Sequence, residues 1–155
     1  MNKNNSALWA GVLLFAIIAV LFVWPRLTNP NRKIIGIWKD LGMGCLPSHQ
    51  NAALHIHAGL RLFDADKTEV IPANIGIVQG CMAEVHTHES DGVIHIESVK
   101  AGETFTLGQF FSVWGKTIAR EGFGIEVTLN GENVENPEAI ILNNEDAIEI
   151  TYARI

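Results

Sequence analysis

Between residues 54 and 63 the chain reads Leu-His-Ile-His-Ala-Gly-Leu-Arg-Leu-Phe. Leu54, Ile56, Ala58, Leu60 and Leu62 fall on one side of an extended backbone, and His55, His57 and Arg61 on the other. Only a strand has a two-residue side-chain period, so this stretch belongs in a sheet with one apolar and one polar face. The polar face carries imidazoles where a solvated strand would use Lys, Thr or Glu. The same spacing returns in His86-Thr87-His88 and in His95-Ile96-Glu97, so five of the six histidines lie between positions 55 and 95.

Neutral imidazole is the commonest protein ligand for late first-row transition metals. The pattern therefore predicts one metal centre drawn from strands that are apart in sequence and adjacent in space. His55, His57, His86, His88 and His95 are the candidate ligands. Four suffice for a closed site, and the fifth would orient the others. Glu97 is placed to accept a ligand's second N–H. Met82, with Met43, could add thioether sulfur for Cu(I). An imidazole-rich set suits copper or zinc, while Glu97 would admit iron or manganese, with iron trailing. His49 stands outside the pattern, and its loss is expected to leave binding unchanged. Binding should weaken as pH falls through about 6.5, where protons compete for imidazole. The competing readings are a hydrogen-bonded polar cluster and acid–base chemistry without a metal.

Cys45 and Cys81 are the only cysteines. Neither belongs to a Cys-x-x-Cys pair, so a structural zinc site of the usual spacing is missing, and pairing is favoured over thiolate ligation. A disulfide closing a loop of ~37 residues would contribute about 3–4 kcal/mol in the chain-entropy model. It would also tie the segment before the first histidine strand to the loop carrying His86 and His88.

Ala7 to Trp24 is 18 residues without a charge. It reads as a transmembrane anchor (7–24) after a short tail (1–6), with Trp9 and Trp24 at interfacial positions, Pro25 ending it and a linker over 25–33. No small-x-small cleavage site follows, which argues against a removed signal peptide. Arg26, Arg32 and Lys33 would by the positive-inside rule hold the domain in the cytoplasm. An N-terminal anchor before a long domain and a cysteine pair favour export instead, and the extracytoplasmic side is the expectation. Residues 34–155 suffice for one domain. After position 33 there are 17 acidic and 7 basic residues, a formal charge of −10. That excludes a nucleic-acid partner, which needs a basic face.

Further along, Asp64 to Lys67 reads as a turn and Thr68 to Ile71 as a return strand stopped by Pro72. Val93 to Ser98 is a strand with His95 and Glu97 on one face. Thr106 and Gln109 form a capping-box pattern opening a helix through Trp114, whose Leu107, Phe110, Phe111 and Trp114 make a core stripe ended by Gly115. A strand Gly124–Leu129, a turn at Asn130-Gly131 and a last strand Ala147–Tyr152 complete a strand-dominated α+β single domain with a β-grasp-like close.

Two resemblances follow. Gly80, five residues, then His86-Thr87-His88 is similar to the start of the first cupin motif. The cupin glutamate would fall at 92 or 93, where this chain has Gly and Val, and no second motif follows. Over residues 45 to about 115, the motifs His55-Ile-His57-Ala, Ile71-Pro-Ala-Asn-Ile-Gly76, Cys81, His86-Thr-His88, Gly92-Val-Ile-His95-Ile-Glu97-Ser, Phe105-Thr-Leu-Gly-Gln-Phe-Phe111 and Val113-Trp-Gly115 resemble an uncharacterised family of prokaryotic membrane-anchored domains. That family's first strand often carries a third alternate histidine, where this chain has Gly59. The resemblance implies an exported single domain with a histidine site. It supplies no activity.

Together these readings predict a membrane-tethered, extracytoplasmic copper- or zinc-binding protein that holds, delivers or senses the ion. Its partners would be the membrane and a membrane metalloenzyme or metal transporter. The alternatives are a small cupin-like metal-dependent oxidoreductase or hydrolase, and an interaction domain without metal. No nucleophile motif, phosphate loop or cofactor fingerprint is present, so no catalytic residue is assigned.

Overall fold

Alternation at Leu54–Asp64 produces the strand that organises the molecule. In the computed structural model, which describes residues 12–24, 31–65 and 67–155, this strand (β2) lies inside a seven-stranded mixed sheet. The other strands of that sheet are β3 (Lys67–Glu69), β6 (Val85–His86), β7 (Val93–Ser98), β8 (Phe123–Leu129), β9 (Glu132–Asn133) and β10 (Ala147–Arg154). Their order is β6-β7-β2-β10-β8-β9, with β3 also on β2. All pairs are antiparallel except β2 with β10. A smaller sheet holds β1 (Cys45–Leu46), β4 (Ile77–Val78) and β5 (Cys81–Ala83) in the order β1-β5-β4.

The β2 strand changes partners halfway. Its first half pairs with β7 over Leu54–Gly59, and its second half pairs with β10 over Gly59–Asp64. On the edge facing β10, the first half is completed by a turn rather than a strand. Glu145 N–H donates to the His57 carbonyl (2.7 Å), His57 N–H donates to Asn144 Oδ1 (3.1 Å), and Gly59 N–H donates to the Asp146 carbonyl (2.7 Å). The turn thus satisfies the second edge of the strand at His57 and Gly59.

The core is the apolar face of this sheet. Leu60, Leu62, Ile94, Ile96, Ile148, Ile150 and Tyr152 are buried there, with Leu107, Phe110 and Phe111 of the helix that follows β7. Each such large side chain contributes about 1.5–3 kcal/mol by leaving water. Here α1 denotes Asn31–Asp40, whose Trp38 is buried, and α2 denotes Leu107–Trp114. The expected capping box closes α2: Thr106 Oγ1 accepts from Gln109 N–H, and Gln109 Oε1 accepts from Thr106 N–H, while Gly115 ends the helix at a φ of 75°. Asn130 and Gly131, both at positive φ, turn β8 into β9, as Asn-Gly hairpins do.

Residues Ile35–Ile155 form one compact unit, an α+β domain dominated by strands. The other unit ends at Ile34. Within it, residues 12–24 are helical, with a π-helical stretch at Ala19–Val23 and side chains that are almost all exposed. Residues 7–11 of the expected anchor lie outside the described residues. Among the described residues no helix is long and apolar enough to cross a membrane. The return strand expected at Thr68–Ile71 is shorter and earlier than predicted, at Lys67–Glu69. Ile71 is instead buried in the core beside the turn that supports the histidine loop.

Candidate metal centre

The face of the sheet opposite the core gathers the histidines by register. His86 on β6 pairs with His95 on β7, and His95 pairs with His57 on β2. One row of three imidazoles therefore crosses three strands. The neighbouring row sets His55 opposite Glu97. Ring centroids are 4.5 Å apart for His57 and His95, 5.5 Å for His86 and His95, and 4.6 Å for His88 and His95.

The loop bearing His88 is fixed by the residue between the two histidines. Thr87 is buried, its Oγ1 donates to the Pro72 carbonyl (2.9 Å), and it accepts from Ile75 N–H (3.1 Å). The Ile71–Gly76 segment is thus the support for His86-Thr87-His88. Gly76 sits at a φ of 73°, and a Cβ there would lie 2.8 Å from the Val85 carbonyl and 3.2 Å from the His86 Cβ. No larger residue could pass so close beneath His86.

His86 is fully buried. Its Nδ1 lies 2.8 Å from the Ala83 carbonyl, which can only accept, so Nδ1 carries the proton and Nε2 presents its lone pair. That Nε2 is 3.0 Å from His88 Nε2. Two nitrogens bound to one ion at ~2.1 Å each would be about 3.0–3.4 Å apart. Burial, opposed in part by the Ala83 hydrogen bond, pushes the His86 imidazole down to about 4. His95 is likewise pushed down to about 4, by burial first and then by His88 and His57. His88 is lowered by burial and by His49. These rings are neutral at pH 7, the state that ligates metal.

Glu97 is fully buried within the cluster. It accepts from His49 Nδ1–H, at 2.8 and 3.0 Å to its two oxygens, and Oε1 is also 3.2 Å from His55 Nε2. Burial alone would raise its carboxyl, but the His49 hydrogen bond and the surrounding imidazoles hold it below the usual range. Expected as an accessory to the ligands, Glu97 stands among them.

His49 corrects the sequence reading. It was expected outside the cluster, yet its ring lies 4.8 Å from His88 and 6.0 Å from His86, and it bonds Glu97. Its signal was hidden because Pro47-Ser48-His49 follows no strand or helix period. The constraint that brings it in is covalent: Cys45 and Cys81 form a disulfide that joins β1 to β5. Cys45 pairs in register with Ala83, whose carbonyl orients His86. Met82, by contrast, lies on β5 opposite Leu46 and Ile77, between the core-facing Cys81 and Ala83. No described contact joins it to the histidines. Met43 is buried in the core.

Ligand-type atoms thus form two groups, each with its atoms within 4.8 Å of one another: His49, His86, His88 and Glu97, and separately His55, His57 and His95. Such groups can hold a metal ion. Among the described residues, the buried His95 Nδ1 is the one side-chain nitrogen or oxygen shut off from solvent without a hydrogen-bond partner. Buried polar atoms are rarely left so. Set against protein-family models, curated proteins and solved structures, the chain matches none of them.

Proposed function

We propose that this protein is a membrane-tethered, extracytoplasmic domain that binds a transition-metal ion, copper or zinc, to hold, deliver or sense it. The observation that carries the reading is the convergence of six imidazoles and one buried carboxylate on a sheet face where His95 Nδ1 is buried without a partner. A buried ring nitrogen without a protein partner is what a bound ion or an ordered water would satisfy. The excess of imidazole over carboxylate suits copper or zinc, while the single carboxylate would also admit iron or manganese.

Tethering rests on the uncharged stretch Ala7–Trp24, whose described part is a helix exposing Leu13, Phe15, Leu21 and Phe22. The disulfide suits an oxidising compartment outside the cytoplasm. There the anchor would keep the domain beside a membrane metalloenzyme or a metal transporter. The resemblance to membrane-anchored prokaryotic domains points the same way, and the parallel β2–β10 pair at mid-sheet supports the β-grasp-like close. A metal-dependent oxidoreductase or hydrolase is the second reading. It is favoured by the exposure of His55 and His57, which would leave a coordination position open to water.

Calorimetric titration of the chelator-treated protein with Zn²⁺ and with Cu²⁺ tests the proposal. Saturable binding at micromolar concentration or tighter is expected. Absence of binding by either ion would overturn it.

A further inference from the structure

Seven ligand-type side chains are more than one ion can use, since zinc and copper sites in proteins are built from about four. Their arrangement divides them. His49, His86, His88 and Glu97 form one set and His55, His57 and His95 the other, and within each set the donor atoms lie within 4.8 Å of one another. Glu97 belongs to the first set by position but touches both: Oε1 is 2.8 Å from His49 Nδ1 and 3.2 Å from His55 Nε2. A single carboxylate oxygen therefore lies within hydrogen-bond reach of a nitrogen of each set, and His49, whose Nδ1–H it accepts, would ligate through Nε2.

We propose that the centre is dinuclear, with two copper or zinc ions held side by side and bridged by the Glu97 carboxylate. The proposal rests on the metal-binding reading above and specifies it. The first ion takes three imidazoles and Glu97 in the more buried half of the cluster, where His86 and Glu97 are fully shielded and His49 is exposed. The second takes three imidazoles in the open half, where His55 and His57 face solvent, and keeps a position for water or an exogenous ligand. The two halves share a wall, since the His88 and His95 rings are 4.6 Å apart and those of His86 and His95 stack at 5.5 Å. Ions in paired sites of this kind are about 3.5–4 Å apart.

The asymmetry assigns roles. The buried ion organises Glu97 and is exchanged slowly. The open ion is the one that meets a partner, because two of its ligands, His55 and His57, face solvent, against His49 alone in the other set.

The test uses the full chain in detergent, stripped with chelator and reloaded with Zn²⁺ or Cu²⁺. Native mass spectrometry and elemental analysis should find two ions per chain at saturation. The copper-loaded protein should show the half-field electron paramagnetic resonance line of a coupled Cu²⁺ pair. His55→Ala with His57→Ala should reduce the count to one and remove that line. Glu97→Gln should at least weaken the coupling severalfold. Saturation at one ion, or two ions with uncoupled spectra, would overturn the dinuclear centre and leave the metal-binding reading standing. No binding at all would overturn both.

Discussion

His86 and His57 flank His95 in one row of one sheet, yet His86 is fully buried and His57 is exposed. The difference comes from what covers each strand. β6 lies beneath the loops that carry His49 and His88, and its histidine is locked by the Ala83 carbonyl below and His88 above. β2 at His57 is covered by nothing comparable; its anchoring is through backbone, to the Asn144–Asp146 turn. The same residue type is thus buried and held neutral in one place and accessible in the other. Backbone register gathers the candidate ligands, and loop cover sets their environment.

The comparison is broken most severely by removing the buried half. His86→Ala with His88→Ala should abolish the tighter Zn²⁺ binding event in titration calorimetry and leave only the weaker event of the three-histidine set, because the four-donor set loses two of its donors. His55→Ala with His57→Ala should leave substantial affinity. Equal damage from both pairs would show that burial does not distinguish the halves. Next in size, His49→Ala should weaken binding about 10–100-fold, the usual cost of losing a ligand or its close support. Unchanged affinity would return His49 to the periphery.

Acid sharpens the contrast. His86 titrates at about 4 in the folded domain against an ordinary 6.5. The unfolded chain therefore binds the proton first, and folded stability of the metal-free domain should fall as pH drops from about 6.5 to 4, by up to about 3 kcal/mol from His86 alone. Above 6.5 the contribution of this group is flat. Denaturant melts across that range would show the slope, and His86→Gln should remove the part due to His86 and leave that of His95. Proton competition for this ligand also sets in lower than the 6.5 expected of a free imidazole.

Reducing the Cys45–Cys81 bond should cost about 3–4 kcal/mol, read as a lower melting temperature, and should weaken the buried half more than the open one. The smallest effect belongs to Arg61→Ala. Arg61 shares the histidine face and pairs with Glu149 in the open, where such bridges contribute less than about 1 kcal/mol, and metal binding should not change.

Much of this was legible in the chain. Two-residue alternation located β2 and β7 and the shared face of His55, His57, His95 and Glu97, because a strand's side-chain period is a local property. Thr106, Gln109 and Gly115 announced α2, and Asn130-Gly131 announced its hairpin, for the same reason. His49 was missed because its place is set by a partner 48 residues away and by a disulfide, neither of which leaves a periodic trace. The parallel pairing of β2 with β10, and the split of the histidines by burial, were invisible on the same grounds: they depend on which distant segments cover which strand.

The turn that completes the histidine strand has a consequence for the order of synthesis. Asn144, which caps the backbone of His57, follows it by 87 positions. At ribosomal rates of ~5–20 residues per second, that edge of β2 waits roughly 4–17 s for its partner. Through that interval the imidazoles already exist on an unfinished sheet. A chain cut short before residue 144 would carry all six histidines and still lack the brace that holds one half of them in line. Under the proposed dinuclear reading, the open site would then form only after the chain has been made past Asp146.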